Sequence, residues 1–396
     1  MPPSIETGYE NPPKVEVPSI PAEPRPQPAP RQEDIPPPRG WSPSPPIEPL
    51  IERPLWFEGL EGWQTADHRP AREAFRRSCE SWEKADPDAL LNKNFPQYGR
   101  YRDWLPACAK LLVFDRQYQG NSQAAARAFF ENEFAPLSLT TPRESEGLLT
   151  GYYEPEIEVR LRADREFSEP ILAKPTNPET LSLPRSKINA RSSRVIAYGR
   201  PIDVFFMQIQ GSGRVKFKDG RSLRAAYAAN NGKPYKSIGR VLVDRGEMTL
   251  SQASKQAIEA WMKKAGLKKT RALMNENPRY IYFAEQAIRP GEGPNGAMRV
   301  PLTAMGSIAV DPRYHPYGIL AWLETTLPQS GGDYRGQPAG VLVSAQDTGS
   351  AIKGALRGDL FFGAGDEAGD KAGVMKHPVR WTLLVPRHLV PQPPVS

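Results

Sequence analysis

The sequence predicts a mainly β fold with accessory helices, set behind a proline-rich N-terminal segment. Three observations carry that prediction. The chain has 396 residues with 39% hydrophobic content, long enough for two domains. Helical patterning is densest between Arg69 and Phe134, whereas the last third is built of short apolar runs separated by Gly and Pro, the pattern of a closed or nearly closed small barrel. Of the 44 prolines, 17 fall in residues 1–50.

Residues 1–52 are therefore assigned to a disordered Pro-rich tether, because Pro21-Ala-Glu-Pro-Arg-Pro-Gln-Pro-Ala-Pro30 cannot build helix or sheet and buries little. The folded part is expected to start near Leu55-Trp56-Phe57. No apolar run is long enough to span a membrane, and Met1-Pro-Pro-Ser4 lacks the basic start and apolar core of a secretion signal. On this reading the protein is cytoplasmic, or the sequence lacks an exported leader. The net charge of +7 suits an anionic ligand, but it is spread along the chain without clustered aromatics, so nucleic-acid binding is not expected.

Helices are predicted over Arg69 to Asp86, over Gln97 to Phe114 with an interruption at Pro106, and after an Asn121-Ser122 cap. Cys79 shares a stripe with Phe75 and Trp82, and Cys108 with Leu105 and Leu112, so both face a core common to two helices. They are either a helix-to-helix disulfide or two buried thiols. Gly147-Leu-Leu-Thr-Gly-Tyr-Tyr-Glu-Pro155 then starts as a strand and offers Thr150, Tyr152, Tyr153 and Glu154 within five residues. That mixture of hydroxyls, aromatic faces and a carboxylate suits sugars, and a strand whose tyrosines fill a core looks the same.

From Glu156 to Asn275 short strands and turns are expected, with one helix at Ser251 to Ala265 stopped by Gly266. Val204 to Gly213 reads as a strand with Phe206, Gln208 and Gln210 on one face and a roomy Gly211-Ser212-Gly213 turn, a second group of hydroxyl-binding candidates. Asp219-Gly220 marks a hairpin. Lys236 and Arg240 sit in an amide-rich stretch that either meets an anion or is a solvated connection. Pro290 to Asn295 is taken as a domain hinge.

Beyond the hinge Asp311 ends one strand and Asp347 another, and Asp359 follows across a loop containing Lys353-Gly354, so three carboxylates are placed to converge on one rim. Leu360, Phe361 and Phe362 follow Asp359 directly, and apolar neighbours favour the protonated acid, which is what a proton donor to a leaving oxygen needs. Two Asp residues that cap turns would look alike. His68, His315, His377 and His388 show no ligand spacing, so no metal and no cofactor are expected.

These motifs resemble the MltA-type membrane-bound lytic murein transglycosylases from about Trp56 to Val385. The resemblance rests on Leu149-Thr-Gly-Tyr-Tyr-Glu-Pro155, Gln208-Ile-Gln-Gly-Ser-Gly213, Asn231-Gly-Lys-Pro-Tyr-Lys-Ser-Ile-Gly-Arg240, Ser307-Ile-Ala-Val-Asp-Pro312, and Gln346-Asp-Thr-Gly-Ser-Ala-Ile-Lys-Gly354 with Arg357-Gly-Asp-Leu-Phe-Phe-Gly363. The last part resembles the 3D domain, named for three aspartates that here fall on Asp311, Asp347 and Asp359. The resemblance implies a double-psi β-barrel domain, residues 53–154 plus 291–390, split by an inserted second β-barrel domain at 155–290, with a glycan strand in the groove between them. It implies Asp359 as the catalytic acid, supported by Asp347 and Asp311, in a non-hydrolytic exotransglycosylase.

On that basis Thr150, Tyr152, Tyr153, Glu154, Gln208, Gln210, Ser212 and Lys353 are the expected substrate-binding residues, and Thr150, Glu154, Gln208 and Gln210 should line one groove with Asp359. The expected partners are peptidoglycan glycan strands, with other cell-wall enzymes as further candidates, and the chain is expected to act as a monomer. A periplasmic, outer-membrane-associated location is implied, which favours a Cys79–Cys108 bridge. The family's N-terminal lipid-anchoring cysteine has no counterpart near the start of this sequence. An inverting glycan hydrolase using Asp347 or Asp311 as base, and a non-catalytic peptidoglycan-binding module, are the alternatives.

Overall fold

A computed structural model describes residues 46–117, 122–250, 252–329 and 335–390. Most of the predicted tether lies outside the described residues. Its last two positions, Ile51 and Glu52, already belong to strand β1 (Ile51–Pro54). Helices α1 (Arg69–Trp82), α2 (Tyr101–Gln117) and α3 (Gln123–Glu133) follow. Pro70 pre-sets the first turn of α1, and the helix buries Phe75, Cys79 and Trp82. Helix α2 runs through Pro106 instead of breaking there. Proline removes one backbone bond, at a cost of about 3 kcal/mol, and burial of Trp104, Ala107, Cys108 and Leu111 offsets it. Cys79 and Cys108 are joined by a disulfide, with Cα atoms 5.5 Å apart, that ties α1 to α2. Ser122 caps α3 by accepting from the Ala125 N–H at 3.3 Å.

Strands β2 (Phe134–Thr140) and β3 (Gly147–Glu154) lead into a second sheet. That sheet comprises β4 (Glu156–Arg160), β5 (Glu169–Leu172), β6 (Val195–Gly199), β7 (Gly213–Phe217), β8 (Ser222–Asn230) and β9 (Ile281–Gln286). Its order is β5-β6-β4-β7-β8-β9, and a bridge between Ala173 and Phe283 joins the two edges, so the sheet curls into a barrel. The Asp219-Gly220 hairpin lies between β7 and β8, with Gly220 at φ 87°.

Between these strands lie α4 (Pro178–Leu181), α5 (Pro201–Gln210), α6 (Ile238–Asp244) and α7 (Lys255–Met274), more helix than the sequence pattern suggested. Helix α5 replaces the strand expected from Val204 to Gly213. Pro201 occupies its first turn and Gly211 ends it in the left-handed region at φ 91°. Its apolar run is buried on several sides: Val204 and Met207 enter the barrel core, while Phe205 and Phe206 pack with α6 and α7. A continuous apolar run does not distinguish a buried helix from a buried strand. Gly266 does stop the first half of α7, at φ 78°, and a second helical half resumes after it.

The chain then builds β10 (Ser307–Val310), β11 (Leu320–Leu327), β12 (Gln337–Asp347), β13 (Arg357–Ala364), helix α8 (Asp366–Val374) and β14 (Lys376–Pro386). Strands run in the order β14-β11-β12-β10-β13-β3, and β3 pairs back onto β14, so six strands close a ring from which β2 and β1 continue. The ring contains two parallel pairs, β10 with β12 and β13 with β3. The fold is thus mainly β with two barrel-like sheets and accessory helices, as predicted. Helix α8 had no visible apolar stripe because its buried residues, Ala368, Gly369 and Ala372, are small. Gly369 must be small, since a Cβ there would lie 2.7 Å from the Tyr153 ring.

Candidate active site

Strand register places the two central carboxylates. Ala309 of β10 pairs with Asp347 of β12 on one side and with Asp359 of β13 on the other. Neighbouring strands lie about 4.8 Å apart, so the backbones of these two aspartates sit about 10 Å apart across the sheet, on either side of one alanine. On β13 Leu360 enters the barrel core, while Arg357 and Asp359 share the opposite, half-buried face. Thr150 of β3 is directly across from Asp359.

The Thr150 hydroxyl donates to Asp359 Oδ1 at 2.5 Å, and Arg357 Nη2 donates to that same hydroxyl at 2.7 Å. Burial pushes the Asp359 carboxyl up from 3.8 to about 6. The Thr150 hydrogen bond and the Arg357 charge oppose that rise, and the Asp347 charge adds to it. Asp347 is also raised by burial, against hydrogen bonds from the Thr348 and Ala297 backbones and from Tyr152. Ala297 N–H reaches Oδ1 at 2.9 Å, and the Tyr152 hydroxyl reaches Oδ2 at 3.0 Å. Tyr152 packs on Phe361 with ring centres 5.2 Å apart, and burial together with both aspartate charges holds its phenol neutral.

The second barrel contributes Tyr235. Burial raises its phenol, a hydrogen bond with Ser237 opposes the rise, and the Asp359 charge adds to it. Its loop is clamped on both sides. Asn231 donates to Leu183 O and Pro278 O, each at 2.8 Å, and the Asn277 side-chain oxygen Oδ1 accepts from Lys236 N at 3.2 Å. Lys236 and Arg240, the anion-binding candidates, are paired with Glu276 and Asp244 at 2.7 and 2.8 Å.

Several predicted residues fall elsewhere. Asp311 is fully buried and does not share the open rim: Arg313 Nη2 bonds it at 2.6 Å and Gly354 N at 3.0 Å, so it latches the loop between β12 and β13. Its pairing with Arg313 and these hydrogen bonds overcome burial and hold its carboxyl below the usual range. Glu154 is fully buried, enclosed by Arg224 Nε at 2.5 Å and Arg214 Nε at 2.9 Å. Arg224 also donates to Glu292 O at 2.7 Å, which ties the chain leaving β3 to the chain returning from β9.

Gln208 is buried and accepts from Arg185 Nη1 at 2.5 Å, and Gln210 Oε1 accepts from Tyr153 N at 3.2 Å. On a helix, positions two apart point to different sides, so the expected shared face of amides does not form. Tyr153 and Ser212 are buried, and Lys353 is exposed on the β12–β13 loop. Thr150 and Tyr152 are thus the predicted ligand-binding residues that touch the aspartates. Arg357 and Tyr235 were not predicted. Arg357 lies two positions before Asp359, and strand alternation would have placed it had the segment been read as a strand. Tyr235 sits in the amide-rich stretch of Asn231 to Arg240, whose cations suggest an anion but whose spacing does not single out the tyrosine.

Among the described residues no group of three or more His, Cys, Asp or Glu is placed to hold a metal, and no helix is long and apolar enough to cross a membrane. Residues 179–284 match the family model described as MltA specific insert domain, and residues 306–385 that of the 3D domain. The chain is 38% identical over 241 residues to membrane-bound lytic murein transglycosylase A of Escherichia coli K12, an alignment covering 59% of this chain and 64% of that protein. The alignment therefore spans less than two thirds of that relative's length.

Its fold matches the lytic transglycosylase LtgG of Burkholderia pseudomallei at 34% identity and a TM-score of 0.57, over 86% of this chain and 98% of that one. It matches Escherichia coli MltA with bound chitohexaose at 26% identity and a TM-score of 0.65, over 86% and 95% of the two chains. Sequence motifs, barrel topology and aligned relatives agree, and the chain belongs to the MltA family of lytic murein transglycosylases.

Proposed function

We propose that this protein cleaves the β-1,4 bond between N-acetylmuramic acid and N-acetylglucosamine in peptidoglycan, with Asp359 as a single acid and base. The observation that carries this reading is a carboxyl on the half-buried face of β13, raised to about 6 and held by one hydroxyl, beside a second carboxylate whose two oxygens are already engaged. A glycan strand would lie in the groove between the barrel of residues 53–154 plus 291–390 and the insert of residues 155–290. The chitohexaose-bound relative supports a β-1,4 glycan as the ligand class.

In this mechanism protonated Asp359 gives its proton to the glycosidic oxygen as the bond to the muramic C1 breaks. The resulting carboxylate takes the proton of the muramic C6 hydroxyl, whose oxygen closes onto C1. No water is consumed, and the product is a 1,6-anhydro end. Asp347, held by Tyr152 and Ala297, supplies negative charge to the oxocarbenium-like transition state. An inverting hydrolase would instead need a second carboxylate free to activate water. Asp311 is closed off by Arg313 and Gly354, which argues against it in that role. The membrane-bound names of the relatives support a periplasmic location associated with the outer membrane.

Digestion of purified sacculi, with product masses compared between wild type and Asp359→Asn, tests the reading. Anhydro-ended muropeptides from the wild type alone are expected. Reducing ends would indicate a hydrolase, and retained sacculus binding without any product would indicate a binding module.

A further inference from the structure

We propose that Arg357 is a positioning residue for Asp359, acting through the Thr150 hydroxyl, which it holds as a one-way donor to the carboxyl. A hydroxyl carries one hydrogen and two acceptor lone pairs, whereas a guanidinium only donates. With Arg357 Nη2 at 2.7 Å occupying a lone pair of Thr150, the Thr150 hydrogen is left to point at Asp359 Oδ1, 2.5 Å away. The guanidinium is itself fixed, since Nη1 donates to Leu148 O at 3.2 Å and to Gly358 O.

Two consequences follow for the acid. The fixed donor favours the charged carboxylate, so it limits how far burial raises Asp359. The proton of the acid form is also driven to Oδ2, because Oδ1 faces a hydrogen that Thr150 cannot turn away. The acid therefore presents its proton from the oxygen not bound to β3. The other titratable groups whose charge acts with that of Asp359 are Asp347 at the end of β12, Tyr152 on β3 and Tyr235 in the loop before α6. Lys376 lies across β14 from Thr150. Thr150 also accounts for why a residue two positions away on the same strand acts on Asp359 by geometry as well as by charge.

For its catalytic consequence the inference rests on the acid role of Asp359 proposed above. The test is the pH dependence of sacculus digestion by wild type, Arg357→Gln, Arg357→Lys, Thr150→Val and the double variant Arg357→Gln with Thr150→Val. Arg357→Gln and Thr150→Val should each move the alkaline limb upward by about one pH unit, a tenfold change in acid strength, with kcat reduced more than KM is changed. In the Thr150→Val background Arg357→Gln should add less than half of its own shift. Additive shifts, or a limb unmoved by either substitution, overturn the proposal.

Arg357→Lys keeps the charge but not the fork that spans Thr150 and the Leu148 carbonyl, and it should move the limb by about half as much. If only the Lys variant folds it decides the matter, and a wild-type limb from it overturns the proposal. Infrared difference titration of the Asp359 carboxyl, with Asp359→Asn as the blank, measures the same shifts without turnover. A wild type that makes no anhydro ends would refute the functional reading while this titration still decides the relay.

Discussion

Replacing Asp359 by Asn should abolish cleavage and at the same time stabilise the protein, by an amount that grows as the pH rises from about 3.8 to about 6 and is full above that. Burial raises this group from 3.8 to about 6, so the native state holds its proton where the unfolded chain has released it. Its favourable share of stability is complete below about pH 3.8 and is lost as the pH rises through about 6. The difference of about two units corresponds to about 3 kcal/mol at pH 7 and to about 0.5 kcal/mol at pH 4. Asn keeps the shape, accepts the Thr150 hydrogen bond and carries no charge to desolvate. Urea unfolding of wild type and Asp359→Asn at pH 4 and pH 7 measures this. The gain from the substitution should be about 2–3 kcal/mol larger at pH 7. An equal gain at both pH values, or a loss at pH 7, would refute the claim that a buried, reluctant carboxyl sits at this position.

Other perturbations separate scaffold from site. Glu154→Gln leaves Arg224 buried beside a neutral partner, so it should cost about 3–5 kcal/mol in chemical denaturation, and a surface-like loss under 1 kcal/mol would contradict the buried ion cluster. Reducing the Cys79–Cys108 bond opens a loop with a sequence separation of 29, worth about 3–4 kcal/mol by chain entropy, and thermal unfolding with and without reductant reads it. Tyr152→Phe removes the hydroxyl that engages Asp347 Oδ2 and should lower kcat about tenfold with little change in KM. A wild-type kcat would remove Tyr152 from the account.

The first barrel was legible from sequence because its strands are short, apolar and ended by Gly and Pro, as in Leu320 to Leu327 and Val341 to Val343. The insert was less so. Helix α5 hides inside a run of Phe, Met and Ile that propensity reads as strand, and α8 hides because Ala and Gly bury without a hydrophobic stripe. Asp359 was found for a partly different reason from the one that raises it. Leu360 points into the core, so the local desolvation comes from what covers the carboxyl's own face, not simply from its neighbours in sequence. For Glu154 and Gln208 the sequence shows a polar residue but not its partner, since Arg224 and Arg185 are 70 and 23 residues away.

The central claim is that Asp359 drives an intramolecular ring closure without water, and labelling with oxygen-18 water tests it most directly. Sacculi digested in labelled water should yield muropeptides lighter by one water than hydrolytic products and free of the label, and Asp359→Asn should yield none. Labelled reducing ends, or unlabelled anhydro ends made equally well by Asp359→Asn, would contradict the account.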